Sequence, residues 1–288
     1  MSNRMITILG SLLLAVFLAT PADAQDVRIG WSAWADAEFV AKLSEEILSS
    51  RMDQNVELIQ TDIAPQYQGV ANGDIDVMVM AWLPDTHADY MDSVGADLVS
   101  LGILYGYARL GWAVPEYIPE SELSSIEDLK DPEVRKKLDG TITGIDPGAG
   151  LTRLSKDALD TYGLDDYNLL ISSESGMMAA LDRAVKRDNW VVVTAWSPHW
   201  MFGAYELRYL DDPEGALGQH ERVHAMARKG FYQDNIEAAL FLSRLYIDID
   251  VLQEYMYKAQ ETSYEQAVAE FMDDNPELID YWVNGELD

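Results

Sequence analysis

The chain contains no cysteine. Disulfide staples, thiolate metal sites and cysteine nucleophiles are therefore excluded. Stability must come from packing alone, and 288 residues are enough for a substantial core or for two domains of ordinary size. Positive charge is scarce: 20 Lys and Arg stand against 50 Asp and Glu, a formal net charge of −30. That balance excludes partners that need a basic surface, nucleic acids above all. The acid is spread along the chain, so it reads as a solvated surface of the kind a salt-rich environment would screen. Histidine is rare too, at 4 residues. His199, His220 and His224 show no convincing ligand spacing, apart from the pair His220/His224 in a loop-to-strand context. No metal and no cofactor is expected. The sequence has no Gly-x-Ser-x-Gly elbow, no P-loop ending, and no calcium-loop spacing in "NGDIDV". No catalytic residue is expected, and the chain is read as a non-enzyme.

Long apolar runs are confined to the first residues. Arg4, the stretch "MITILGSLLLAVFLAT" and the small-residue site Ala22-Asp23-Ala24 predict a secretory signal over 1–24, with Gln25 as the mature start. The stretch is shorter than the roughly 20 residues a membrane span needs. Arg4 and Asp23 offset each other, so the mature chain keeps the charge of −30. The mature protein is expected to be soluble and exported, with no direct membrane insertion.

From Val27 onward strand and helix patterns alternate. "VRIGWSAW", "NVELIQT", "IDVMVMAW" and "ARLGWAVP" read as strands. "AEFVAKLSEEILSSRM" has helical spacing, and Pro65 marks the first position of a helix ending at Asn72-Gly73. A polar stretch punctuated by Pro115, Pro119 and Pro132 follows, with a capping-box pattern at Ser124 and Glu127. A second series comes next: "TITGID", "GLTRLSKDALDTYG", "YNLLISS", "SGMMAALDRAVKRDN" and "WVVVTAW". "RVHAMARKG" can return the chain to the first unit, and the last stretch reads as helices. Alternating units of this kind give parallel sheets with helices on both faces. The expected division is one discontinuous lobe of 25–114 plus 222–288, and a second lobe of 115–221, with a cleft between them.

Three tryptophans occupy matching positions in this pattern. Trp34, Trp82 and Trp196 each follow an apolar strand and precede a turn and a helix. In open α/β sheets, ligands bind where strands end at their carboxyl ends. Indole faces converging there would box a cation that donates no hydrogen bond, such as a quaternary ammonium. The loop "GIDPGAGLTRL" places Gly144, Gly148 and Gly150 between a strand and a helix. Free amides at such a helix start suit a small carboxylate. His87, five residues after Trp82, is a candidate donor to the same carboxylate, and a surface histidine is the alternative.

The segments "AWLPDTH", "GIDPGAG", "TAWSPHWMF" and "YLDDPEGALG" together resemble the glycine betaine-binding proteins of osmoprotectant ABC importers. The resemblance runs from about Val27 to Trp282. It implies an α/β, two-lobed periplasmic-binding-protein fold (type II-like) with the ligand between the lobes. It implies that Trp82, Trp196 and Trp34 surround a trimethylammonium head, with Trp31 as the alternative third wall. "ADAEF" carries one residue more than the family's usual segment after that tryptophan. The resemblance also implies that His87 and the amides of Gly150 and Leu151 hold the ligand's carboxylate. The expected partners are the small-molecule ligand and the membrane permease subunits of the transporter, and the expected location is the periplasm. Choline, carnitine, proline betaine or a sulfonium analogue are alternative ligands, and an enzyme on the same two-lobed scaffold is the less favoured alternative.

Overall fold

The computed structural model describes residues 26–286. The expected signal segment lies outside the described residues. Nine strands and twelve helices make up the described chain, alternating through most of it before a run of helices at the end. The first series is β1 (Val27–Trp31), α1 (Ala35–Met52), β2 (Val56–Gln60), α2 (Ile63–Asn72), β3 (Val77–Leu83), α3 (Ala88–Val94) and β4 (Leu98–Pro115). The second is α4 (Pro132–Lys137), β5 (Thr141–Thr143), α5 (Gly150–Tyr162), β6 (Asn168–Leu170), α6 (Glu174–Val185), β7 (Val193–Ser197), α7 (Met201–Ala204) and β8 (Leu207–Tyr209). The chain then runs through β9 (Glu221–Arg228), α8 (Phe231–Asp234), α9 (Ile236–Arg244), α10 (Ile249–Glu261), α11 (Tyr264–Asp274) and α12 (Pro276–Asn284).

The strands follow the order β2-β1-β3-β9-β4-β7-β5-β6, with β8 beside β4. β1 pairs in parallel with β2 and β3, and β5 in parallel with β6 and β7. β3 is a continuous apolar run, buried at every residue but the last, as a strand covered on both faces must be. The two halves meet at β4 and β9, which run antiparallel. β4 pairs with β9 as far as Ala108, then with β7 from Arg109 onward, so one strand serves both halves. Tyr107 lies at this change of partner with φ of 57°, in the left-handed region a tyrosine seldom occupies. The result is a two-lobed α/β fold with the carboxyl ends of β1, β3, β5 and β7 turned toward one cleft.

Local chemistry sets the helix limits. α2 stops at Gly73, whose φ of 82° caps the helix as few other residues can. Its start differs from expectation: the helix begins at Ile63 after Asp62, which places Pro65 third rather than first. The capping box also falls one residue later than expected. Ser125 accepts from the Glu127 amide, and Asp128 reaches back to the amide of Ser125. Adjacent serines, each followed three residues later by an acid, make the two registers nearly equivalent in sequence. β4 begins at Leu98, well before the expected "ARLGWAVP".

Candidate ligand site

A cavity lies where these strands end. Trp34, Trp82, Trp196, His87, Gly150 and Leu151 all line it. All six residues singled out from the sequence thus meet around one space. Leu110, Ile145 and Ala149 add apolar wall, and Asp36 and Thr86 add polar groups. Trp31 does not reach the cavity; its buried indole N–H has no partner. Trp34 therefore stands as the third wall.

Each indole is fixed by its surroundings. Trp34 Nε1 donates to Asp146 Oδ2 at 2.9 Å, joining the β1–α1 junction to the glycine loop. Trp196 Nε1 donates to Asp36 Oδ1 at 3.2 Å, and its ring stands at 90° to the His199 imidazole. Trp82 packs edge-on against Tyr105, with ring centroids 6.3 Å apart. Trp34, Trp82 and Trp196 are 9%, 3% and 4% exposed, so a cation among them is largely removed from water. Cation–π attraction is strongest under that condition.

Hydrogen-bond donors line the same cavity. α5 starts at Gly150 with no side-chain cap, and among the described residues no group accepts from the amides of Gly150 or Leu151. Unpaired N–H groups at a helix start carry the positive end of the helix dipole. His87 is completely buried. Its Nδ1 accepts from the Trp82 amide at 3.1 Å, with Tyr67 Oη a further 3.2 Å neighbour. An amide N–H can only donate, so Nδ1 is unprotonated and the neutral ring carries its hydrogen on Nε2. Burial, aided by the charge of Arg153, lowers the His87 pKa to about 3. The imidazole is therefore a neutral donor at physiological pH.

Asp36 and Glu174 escaped the sequence reading, and His199 was weighed there only as a metal ligand. Asp36 lies in the first turn of α1, completely buried, with Oδ2 accepting from Tyr105 Oη at 2.5 Å. Burial pushes its carboxyl above the usual carboxylate range; Glu174 adds to this, and the bonds from Tyr105 and Trp196 oppose it. Glu174, at the start of α6, accepts from the Ala35 amide at 3.0 Å and so bridges the two halves. His199 Nδ1 accepts from the Met201 amide, which leaves Nε2–H to donate to Glu174 Oε1 at 3.0 Å. Tyr90 Oη adds another bridge, donating to the Gly148 carbonyl at 2.7 Å. The only signal for Asp36 was its place two residues after Trp34, hidden among so many acids.

The cleft, its cavity and the bridges across it define a two-lobed solute-binding protein. Comparison with known proteins makes the assignment specific. The family described as the substrate binding domain of ABC-type glycine betaine transport systems matches residues 25–274, and the chain belongs to that family. Lactococcal OpuAC, solved closed with glycine betaine, is 33% identical with a TM-score of 0.84, over 90% of this chain and 100% of that one. The ProX protein of Borrelia burgdorferi, described as a glycine betaine and L-proline binding protein, is 33% identical with a TM-score of 0.83, over 90% and 97%. A choline-binding protein of an ABC transporter, solved with choline, is 26% identical with a TM-score of 0.82, over 90% and 92%. The glycine betaine/carnitine binding protein GbuC of Listeria monocytogenes is 34% identical over 156 residues, 53% of this chain and about half (52%) of that protein. Among the described residues no helix is long and apolar enough to cross a membrane.

Proposed function

We propose that this protein is the periplasmic receptor of an osmoprotectant ABC importer and binds glycine betaine without altering it. One observation carries the reading: the three indoles line a single cavity together with His87, whose free hydrogen is on Nε2, and with Gly150 and Leu151, whose amides have no partner among the described residues. A permanent cation joined to a carboxylate by one methylene satisfies both the aromatic walls and the donors. In this reading Trp34, Trp82 and Trp196 hold the trimethylammonium group, each contact worth on the order of 1–2 kcal/mol when desolvated. Asp36 sets a negative charge behind the box. Its ionised form is costly when the site is empty and favourable beside an onium group.

The lobes of this reading are 25–114 plus 222–288, and 115–221, with β4 and β9 as the connecting strands. Ligand contacts made by both lobes at once favour the closed form, so binding shifts the population toward it. The closed form then docks on the membrane permease. Relatives that are transport receptors, and a site filled by donors and aromatic faces, favour binding over catalysis.

Choline is the second reading, favoured by the Asp36 carboxylate at the cavity and by the resemblance to the choline-bound structure. Calorimetric titration with both ligands separates the two. Glycine betaine binding at least about 10-fold tighter supports the main reading, because only betaine engages the carboxylate donors. Choline binding tighter than betaine would overturn it. Chemical recovery of betaine after incubation tests the non-enzyme reading, and any turnover product contradicts it.

A further inference from the structure

The turn that delivers His87 to the cavity is gripped on two sides by residues that do not touch the cavity. On one side stands Glu221, the first residue of β9 and 2% exposed. Its Oε1 accepts from the amides of Asp85 and Thr86 at 2.5 and 2.8 Å, and its Oε2 accepts from Thr86 Oγ1 at 2.5 Å. No Lys, Arg or His among the described residues lies within ion-pair distance of this carboxylate. Three neutral donors from one turn hold a buried charge, which is a directed arrangement rather than a surface pair. On the other side stands Arg153 of α5. Its guanidinium donates to the Asp85 carbonyl at 2.8 Å and pairs with Asp89 at 3.2 Å.

The two grips differ in what they connect. β9 pairs with β3, with Arg222 opposite Leu83, so Glu221 and the turn after β3 belong to one body. Glu221 also faces Ala108, where β4 leaves β9 for β7. α5 follows β5 in the other half of the sheet, so Arg153 reaches the turn across the cleft. The Asp85–Thr86 peptide group has the Glu221 carboxylate at its N–H and the Arg153 guanidinium at its C=O. Each charge polarises the turn in the direction that strengthens the other contact.

We infer that Arg153 and Glu221 are paired positioning residues, a clamp that sets how long the bound ligand stays. The inference rests on the binding function proposed above. Glu221 holds the turn, and with it the His87 donor, whether the cleft is open or shut. Arg153 engages the turn only when the cleft is shut, so it acts on release. The clamp also explains why Arg153 bears on the His87 pKa without touching the ring: its charge disfavours an imidazolium beside the turn.

The test is stopped-flow tryptophan fluorescence with glycine betaine on the full chain, for wild type, Arg153→Met, Arg153→Lys, Glu221→Gln and the Met/Gln double variant. Arg153→Met is expected to speed dissociation about 10-fold or more with association within about 2-fold, since a contact made only on closing acts on the off-rate. Arg153→Lys, which keeps the charge but not the fork, is expected to fall between. In the Glu221→Gln background the Arg153→Met effect is expected to shrink to under about 3-fold, because the two act through one turn. A merely structural role would lower thermal midpoints without this split between rates, so midpoints are read in parallel. An unchanged dissociation rate in Arg153→Met, or fully additive effects, overturns the clamp while leaving the binding function intact. A wild type that gives neither fluorescence change nor heat with glycine betaine overturns the function, and the clamp falls with it.

Discussion

Gly150→Ala is the substitution whose effect the geometry defines most sharply. Gly150 opens α5, and its backbone is not in the left-handed region, so alanine suits the local conformation. By helix propensity alone the change would stabilise α5 by up to about 1 kcal/mol. The obstacle lies across the cleft. A Cβ on Gly150 would stand 2.9 Å from the carbonyl carbon of Thr86, 2.5 Å from its Cγ2, and closer still to its carbonyl oxygen. Those atoms belong to the turn that Glu221 fixes, and they cannot yield as the tip of a flexible side chain would. The cleft must therefore stop about 1 Å short of closure to restore ordinary contact distances. That gap separates the amides of Gly150 and Leu151 from a carboxylate that His87 still holds. Losing two charge-assisted bonds at about 1.5–3 kcal/mol each weakens binding by roughly 10²–10⁴-fold. The assay is isothermal titration with glycine betaine beside the thermal midpoint of the unliganded protein. The expected signature is collapsed affinity with an unchanged or raised midpoint. Affinity within about 3-fold of wild type would refute the argument that the closed form needs a bare backbone here.

Three further outcomes follow from the same geometry. Trp82→Ala or Trp196→Ala should weaken betaine binding by about 1–3 kcal/mol in calorimetry; unchanged affinity in both would contradict the box. Betaine affinity should fall as pH drops through the raised Asp36 pKa of the empty site, because a bound cation favours the ionised carboxylate and protonation removes that attraction. Asp36→Asn should flatten this dependence, and a profile identical to wild type would refute the role of Asp36. Protonation of His87 should also link to folding: its pKa is about 3 folded against 6.5 for a free imidazole, so the unfolded chain binds the extra proton between those values. Stability should be full above that window and fall by up to about 1.4 kcal/mol per pH unit as pH drops through it. Denaturant titrations at stepped pH on wild type and His87→Gln would show equal slopes if the reasoning fails.

The parts of the site that were legible in the sequence are those tied to strand ends. Trp34, Trp82 and Trp196 each follow an apolar run, and the glycine loop follows β5, so one topological rule brings them together. His87 required a resemblance, because a histidine before a helix has no signature of burial. Asp36, Glu174 and His199 were illegible for a different reason. Their roles come from pairings such as Glu174 with the Ala35 amide, which lie far apart in sequence. The early part of β4 was hidden because its pairing with β9 shifts register three times and passes through Tyr107 at positive φ, which breaks the alternation a strand normally shows. Pro65 and the Ser124/Ser125 pair show the limit of local signals: neighbouring residues offer equivalent starts, and tertiary packing selects one.

A neutral isostere of the ligand isolates the claim on which the whole account depends. In 3,3-dimethylbutanoate a quaternary carbon replaces the nitrogen of glycine betaine, so shape and carboxylate persist while the positive charge is gone. Competition calorimetry between the two ligands reads the charge alone. With three indoles and the Asp36 carboxylate around the head group, the isostere is expected to bind at least about 100-fold more weakly. Equal affinity for the two would show that the pocket recognises only an apolar shape.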